Sequence, residues 1–208
     1  MSYGLRVVNS NSYVQIDSDT PRLCSLYNGT YSAGSRVAIV TFPAAITTPE
    51  PPCIFIRNSP SAPNDVYTQT ILTGSSGNWT GFQVWANNIN SRPTGKWFAA
   101  VFATKANGNY GMRIWGANGQ LVFDTGATPV TVTRASNSWS YVTYGQQGPI
   151  GTATYYKCNI ASAPLLEDDY FMINPFSRTM LAPNNVTSMD AGICWVYASN
   201  ELSLYAIG

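Results

Sequence analysis

Apolar and polar residues alternate with a period of two along many short stretches of this chain. Clusters of glycine, proline, asparagine and serine separate those stretches. A period of two puts alternate side chains on opposite faces of a pleated strand. In the first half, "SRVAIVTF", "CIFIRN", "GFQVWAN" and "KWFAAVFAT" read this way. In the second half, "SYVTY", "ATYYKCNI", "DYFMINPF", "GICWVYAS" and "ELSLYAIG" do so. Between them, "PAAITTPEPP", "GSSGNW" and "NNINSRPTG" carry the residues that turns require. No stretch shows a helical period, and "ASAPLLEDDY" holds one short turn at most. The pattern predicts an all-β protein with six or seven short strands in each half.

One pattern occurs twice. "YGLRVVNSNSYVQIDSD" at residues 3–19 aligns with "YGMRIWGANGQLVFDTG" at residues 110–126, an offset of 107. Tyr3, Gly4, Arg6, Asn11 and Asp17 meet Tyr110, Gly111, Arg113, Asn118 and Asp124. The apolar positions also match in phase, with Leu5, Val7, Val14 and Ile16 facing Met112, Ile114, Leu121 and Phe123. A proline follows each copy, Pro21 and Pro129. Each copy predicts a β-hairpin. In the second, "Ala117-Asn118-Gly119-Gln120" predicts a two-residue type I′ turn at Asn-Gly. The first has a looser turn at "Asn9-Ser10-Asn11-Ser12".

Arg6 and Arg113 point away from the apolar face of their strands. They are candidates for a repeated ion pair with Asp17 and Asp124, or for contact with a neighbouring subunit. The two aspartates close the return strand, where a short acceptor can cap a turn. Gly4 and Gly111 mark a bulge or a close backbone approach. The repeat predicts two tandem β-sandwich units, residues 1–105 and 106–208, each of about 100 residues. The boundary falls in "TKANGN" at residues 104–109. The competing reading is one sandwich whose strands are shared between the halves.

Composition narrows the chemistry. Charged residues make up 10% of the 208, and the net charge is +1. No basic footprint for nucleic acid is present. No apolar run reaches membrane-spanning length. The start, "MSYGLRVVNS", has neither the charged nor the apolar region of a secretion signal, so synthesis in a reducing cytoplasm is expected. There Cys24, Cys53, Cys158 and Cys194 are expected free and buried, although their even number keeps disulfides open. The sequons at Asn28, Asn78 and Asn185 carry no meaning without secretion. Histidine is absent, which removes the commonest general base and many metal sites.

Glu167-Asp168-Asp169 is the only dense charge cluster. It lacks the ligand spacing and the glycine of a calcium loop and reads as a solvated loop entering "YFMIN". Adjacent acids do not face each other across a sugar-sized gap, and nothing in the sequence joins Asp65 to Asp190 as a glycosidase pair. No catalytic residue, metal ligand or cofactor site is expected.

The residues "SYGLRVVNSN", "PCIFIRN", "TGFQVWAN", "KWFAAVFA" and "YGMRIWGANGQLVFDTG" resemble a group of small proteins encoded among the tail genes of long-tailed, non-contractile bacteriophages. That group carries a Tyr-Gly-Leu start and a second Tyr-Gly hairpin at mid-chain. The resemblance spans most of the chain and rests on structural motifs. Ser12 departs from it, standing where the group has glycine. The resemblance implies a virion component of the distal tail, at the tip, baseplate or fibre. It would be made in the host bacterial cytoplasm and assembled with other tail proteins as a homo-oligomer, with a trimer along the tail axis. It implies no active site. The alternative is a module that binds a receptor or carbohydrate on the host surface.

Trp79 in "GNWTG" and Trp139 in "NSWSY" sit among small polar residues. With Tyr141 and Tyr144 they are the candidate ligand or partner contacts, since an exposed ring offers a flat apolar face to a sugar or an interface. The competing reading folds each tryptophan back to cap the sandwich end. Trp85, Trp97, Trp115 and Trp195 lie in predicted strands and are assigned to the core or to packing between subunits.

Overall fold

The computed structural model describes residues 6–8, 10, 14–17, 21–59, 67–86, 90–106, 109–133, 138–146, 152–158, 168–172, 179–181, 188–196 and 201–207. They form strands and turns, with no helix among the described residues. The first eight strands are β1 (Arg6–Val8), β2 (Val14–Asp17), β3 (Cys24–Ser32), β4 (Val37–Ile46), β5 (Cys53–Asn58), β6 (Tyr67–Ser75), β7 (Asn78–Ala86) and β8 (Thr94–Val101). The others are β9 (Arg113–Trp115), β10 (Leu121–Asp124), β11 (Thr128–Pro129), β12 (Trp139–Gln146), β13 (Thr152–Cys158), β14 (Phe171–Met172), β15 (Thr179–Leu181), β16 (Ser188–Val196) and β17 (Glu201–Ile207).

These strands make four antiparallel sheets. Two are the isolated hairpins β1–β2 and β9–β10. A five-stranded sheet runs β11-β3-β8-β5-β14. An eight-stranded sheet runs β12-β13-β17-β16-β6-β7-β4, with β15 also paired to β16.

Alternation explains how the two large sheets meet. On β5, Ile54 and Ile56 face inward and are fully buried. On β8, Trp97, Ala99 and Val101 do the same. Ala38, Val40 and Phe42 of β4, with Phe82 and Val84 of β7, supply the opposing face. Tyr31 of β3 and Tyr67 of β6 close the cluster, ring edge to ring face at 6.4 Å. Each such fully buried large side chain contributes about 1.5–3 kcal/mol of transfer free energy. Among the described residues the core is thus a β-sandwich layer built mainly from residues before 105, with Phe171 of β14 packed against it. Outward positions on the same strands are open: Ile39 of β4 is 71% exposed. The outer edge of β4 contains Pro43, which has no N–H to offer a further strand.

Strands from beyond residue 105 join both large sheets. β11 pairs with β3 through Thr128↔Ser25 and Pro129↔Cys24. β14 pairs with β5 through Phe171↔Ile56 and Met172↔Phe55. β16 meets β6 at Ile193↔Tyr67 alone. The sharing of strands between halves is therefore present in the hydrogen-bonded order, although each junction is narrow. On the outer face of the five-stranded sheet, Phe55 stacks on Phe98 at 4.5 Å and Tyr170 meets Phe98 edge-on at 5.0 Å.

Candidate contact surface

The repeat is a repeat of register. In the first hairpin Arg6 pairs with Asp17, Val7 with Ile16 and Val8 with Val14. In the second Arg113 pairs with Asp124, Ile114 with Phe123 and Trp115 with Leu121. Every pair is displaced by 107 residues, and each hairpin has its irregularity at the matching step. The side chains of the first copy lie outside the described residues. In the second, Arg113 Nε donates to Asp124 Oδ2 at 2.7 Å, so the expected ion pair forms there. Asp124 Oδ1 accepts the Gly126 N–H at 2.6 Å, and the Asp124 carbonyl accepts the Ala127 N–H at 3.1 Å. The buried carboxylate closes the turn as its position predicted.

The hairpin tip differs from expectation. Gly119 N–H donates to the Gly116 carbonyl at 2.9 Å, and Gly116 N–H donates to the Gln120 carbonyl at 2.8 Å. That is a three-residue loop with Gly119 in the left-handed position, φ +78°, and not a two-residue type I′ turn. Asn118 ties this loop together: its Oδ1 accepts the Gln120 N–H at 3.1 Å across Gly119. Gly111 does mark a close approach. Its φ is +133°, and a methyl group there would collide with Thr125 Oγ1, which accepts the Met112 N–H at 3.1 Å.

A cavity of about 230 Å³ lies where this hairpin meets the start of β3, lined by Arg22, Cys24, Thr104, Val122 and Asp124 among others. The Cys24 thiol is free and buried, and Cys53 is free and half-buried. The side chains of Cys158 and Cys194 lie outside the described residues. Burial pushes both described thiols above their ordinary range; at Cys24, Thr104 and Arg22 oppose the shift. The thiol, not the thiolate, therefore dominates at neutral pH. Because folding raises these values, their contribution to stability is present below the ordinary thiol pKa, about 8.5, and is lost as pH rises through the folded values. Iodoacetamide at pH 7.5 is expected to label Cys24 and Cys53 more slowly than it does in urea-unfolded chain. Equal rates in mass-spectrometric peptide mapping would contradict that burial.

Of the candidate contact residues, Trp79 does not lie on a loop. It is the second residue of β7, half-buried against the core. Its ring N–H donates to the Thr48 carbonyl at 3.0 Å. Ser76 Oγ donates to the Pro49 carbonyl at 2.8 Å, so the β6–β7 tip is tied to the loop before β5. The Trp79 ring is thus held against the core and tied to the loop before β5. Trp139 opens β12, paired with Cys158, and its side chain lies outside the described residues. Among the strand tryptophans, Trp97 is core, Trp85 is half-buried beneath the Arg36 guanidinium, and Trp115 is 57% exposed.

Tyr141 and Tyr144 of β12 are brought together. Three residues apart on a regular strand, they would point to opposite faces. β12 is irregular between Tyr141 and Thr143: Tyr141 pairs with Tyr156, Thr143 with Tyr155 and Tyr144 with Thr154. The extra residue, Val142, restores the phase. Tyr141 and Tyr144 then share one face with Tyr156 and Thr154. Tyr141 is 60% and Tyr144 66% exposed, and Tyr141 meets Tyr156 edge-on at 5.9 Å. Trp139 holds the next position of this face in the register.

The acidic cluster lies elsewhere. Asp168 is exposed and Asp169 half-buried, just before β14. Glu167 and Asp65 lie outside the described residues, and Asp190 sits within β16. Among the described residues no group of three histidine, cysteine, aspartate or glutamate side chains could hold a metal ion. Comparison with protein-family models, curated proteins and solved structures returned no match.

Proposed function

We propose that this chain is a non-enzymatic structural protein of a bacteriophage tail, placed at the distal tip, baseplate or fibre. There it joins tail parts and meets the host surface. The observation that carries the reading is the repeated hairpin. What is duplicated is a backbone register, with an Arg113–Asp124 pair in the second copy whose charges satisfy each other. Such an element supports a structural role more readily than a chemical one. The sequence resemblance supplies the tail setting. Low charge and exposed tyrosines favour protein contact, since interface centres are poor in charge and rich in Tyr.

Antibody labelling of intact particles tests the placement. Gold at the distal tail end, with deletion of the gene giving particles that fail to assemble tails or to adsorb, is the expected result. Label on capsids, or absence of the chain from purified particles, would sink it. The exposed Tyr141 and Tyr144 favour a second reading, a surface that binds host glycan. Binding on a glycan array, lost in Tyr141→Ala and Tyr144→Ala, would raise that reading above the first.

A further inference from the structure

The five-stranded sheet ends on one side at β11, which has two residues, while β3 beside it has nine. β11 covers Cys24 and Ser25. Residues 27–32 of β3 have no strand on that side among the described residues. The hydrogen bonds fix which groups this edge turns outward. The Ser59 N–H donates to the Thr94 carbonyl at 2.7 Å. In an antiparallel ladder, successive residues of a central strand bond to alternate sides. Thr94, Lys96 and Phe98 of β8 therefore face β5, and Gly95, Trp97 and Ala99 face β3. Their partners Tyr31, Gly29 and Tyr27 bond back to β8. The N–H and C=O groups of Asn28, Thr30 and Ser32 then point away from β8, out of the sheet edge. β11 uses the same edge, where the Val130 N–H donates to the Leu23 carbonyl at 2.9 Å. The N–H groups of Asn28, Thr30 and Ser32 have no partner among the described residues. The Thr30 carbonyl accepts the Trp97 ring N–H at 3.3 Å and keeps a second lone pair.

Edges of this kind are usually guarded by a charge, a proline or a bulge. β4, the edge of the facing sheet, carries Pro43. β3 has neither a charged residue nor a proline. Its one irregularity, at Leu26, lies where the contact with β11 ends. We propose that residues 27–32 of β3 bind an extended segment of a partner polypeptide, which adds to the five-stranded sheet as a further strand. Outward N–H and C=O groups that recur about every 6.8 Å, twice the rise per residue, match another extended backbone. The added segment continues the antiparallel pairing that β11 makes with Cys24 and Ser25. The geometry also states its sequence. Positions opposite Asn28, Thr30 and Ser32 share their exposed face and use their own N–H groups, so they are polar and exclude proline. The positions between them lie beside Tyr27, Gly29 and Tyr31 at the rim of the core, so they are apolar. Tyr27 is half-buried there, its ring 6.0 Å from Phe42 of the facing sheet.

The inference does not depend on the tail reading. A chain that binds such a strand yet is missing from virions keeps the one and removes the other. The full chain, immobilised, serves to select from random peptides about as long as β3. The enriched peptides are expected to alternate apolar and polar residues, with no proline at the polar positions. Thr30→Pro removes one outward N–H at an edge position that tolerates proline, and should weaken their binding about tenfold. Thr41→Pro is the control. The Ala86 N–H donates to the Arg36 carbonyl at 2.9 Å, so by the same alternation Thr41 turns its N–H out of the β4 edge. That variant should bind the peptides as the parent does. If Thr30→Pro does not fold, N-methylation of the peptides reads the same edge: methyl groups at the polar positions should abolish binding, and those at the apolar positions should not. A selection that enriches nothing would overturn the inference. So would binding that survives Thr30→Pro, binding lost with Thr41→Pro alone, or binding indifferent to which amides are methylated.

Discussion

Replacing Phe82 with alanine is expected to lower the unfolding free energy by about 3–5 kcal/mol. Phe82 lies in the middle of β7 and is fully buried. Its ring meets Trp97 of the opposing sheet edge-on at 5.2 Å and Phe42 of the neighbouring strand at 5.9 Å. Phe42 in turn lies 5.8 Å from Trp97, so three rings from β4, β7 and β8 close a triangle across the sandwich. Truncation removes the transfer energy of one ring and leaves a hole between two others. Backbones paired on both sides of β7 have little room to collapse into it.

Ile39→Ala is the control. Ile39 is on β4 beside β7, but it points outward and is 71% exposed. It should change stability by no more than about 0.5 kcal/mol. Urea unfolding of both variants with equal slopes decides the matter. Similar losses for the two would mean that the inward face of the sandwich is assigned wrongly. Native domains hold only about 5–15 kcal/mol in total, so the Phe82 variant should be visibly marginal.

β4 and β7 were legible as strands, as were β5 and β8, but "VAIVTF" is apolar at both Ile39 and Val40, so which side of β4 faces the core was not; Gln83 beside Phe82 in "GFQVWA" was the clearer sign. β3, "CSLYNGTYS", was not legible, and the structure shows why. Its outward Asn28, Thr30 and Ser32 are exposed, and Gly29 sits against the Trp97 ring. A strand whose neighbours supply the bulk needs little apolar pattern of its own. β6, "YTQTILTGS", hides for a related reason: the register slip between Tyr67 and Gln69 breaks its alternation. Trp79 looked like a loop residue because glycine and serine precede it. Those residues form only the tip of the β6–β7 hairpin. Trp139, Tyr141 and Tyr144 were legible as a group of aromatics, but not as a surface. The common face of Tyr141 and Tyr144 depends on one extra residue at Val142, and no local signal in "WSYVTYGQ" marks a bulge there. The hairpin repeat was the most informative feature, since its offset of 107 reappears pair by pair in the backbone register.

That repeat supports a second large effect. Asp124→Ala is expected to cost about 3 kcal/mol, toward the lower end for breaking a buried ion pair because Arg113 is 33% exposed and solvent softens its loss. Asp124 is 3% exposed and holds two structures at once. One oxygen ties β9 to β10 through Arg113 at 2.7 Å, and the other caps the turn at Gly126 at 2.6 Å. An isolated two-stranded hairpin is barely stable alone, so such ties decide whether it stays docked. Docking matters beyond the hairpin: Val122 is 1% exposed, and its carbonyl accepts the Thr104 hydroxyl at 3.0 Å.

Asp124→Asn separates the two roles. The amide oxygen can still cap Gly126, while the charge facing Arg113 is gone. It should lose less than the alanine variant, about 2 kcal/mol. A double-mutant cycle with Arg113→Ala should give a coupling of about 1–2 kcal/mol between the two side chains. Hydrogen exchange should show the loss as faster opening of residues 112–125, ahead of β5 and β8. A coupling near zero would mean that the pair is spectator to the fold. The same cycle on Arg6 and Asp17, which the register pairs identically, asks whether the chain uses its duplicated hairpin in one way or two. Equal couplings at both sites are expected. A coupling at 113 and 124 with none at 6 and 17 would show that only the second copy keeps the tie.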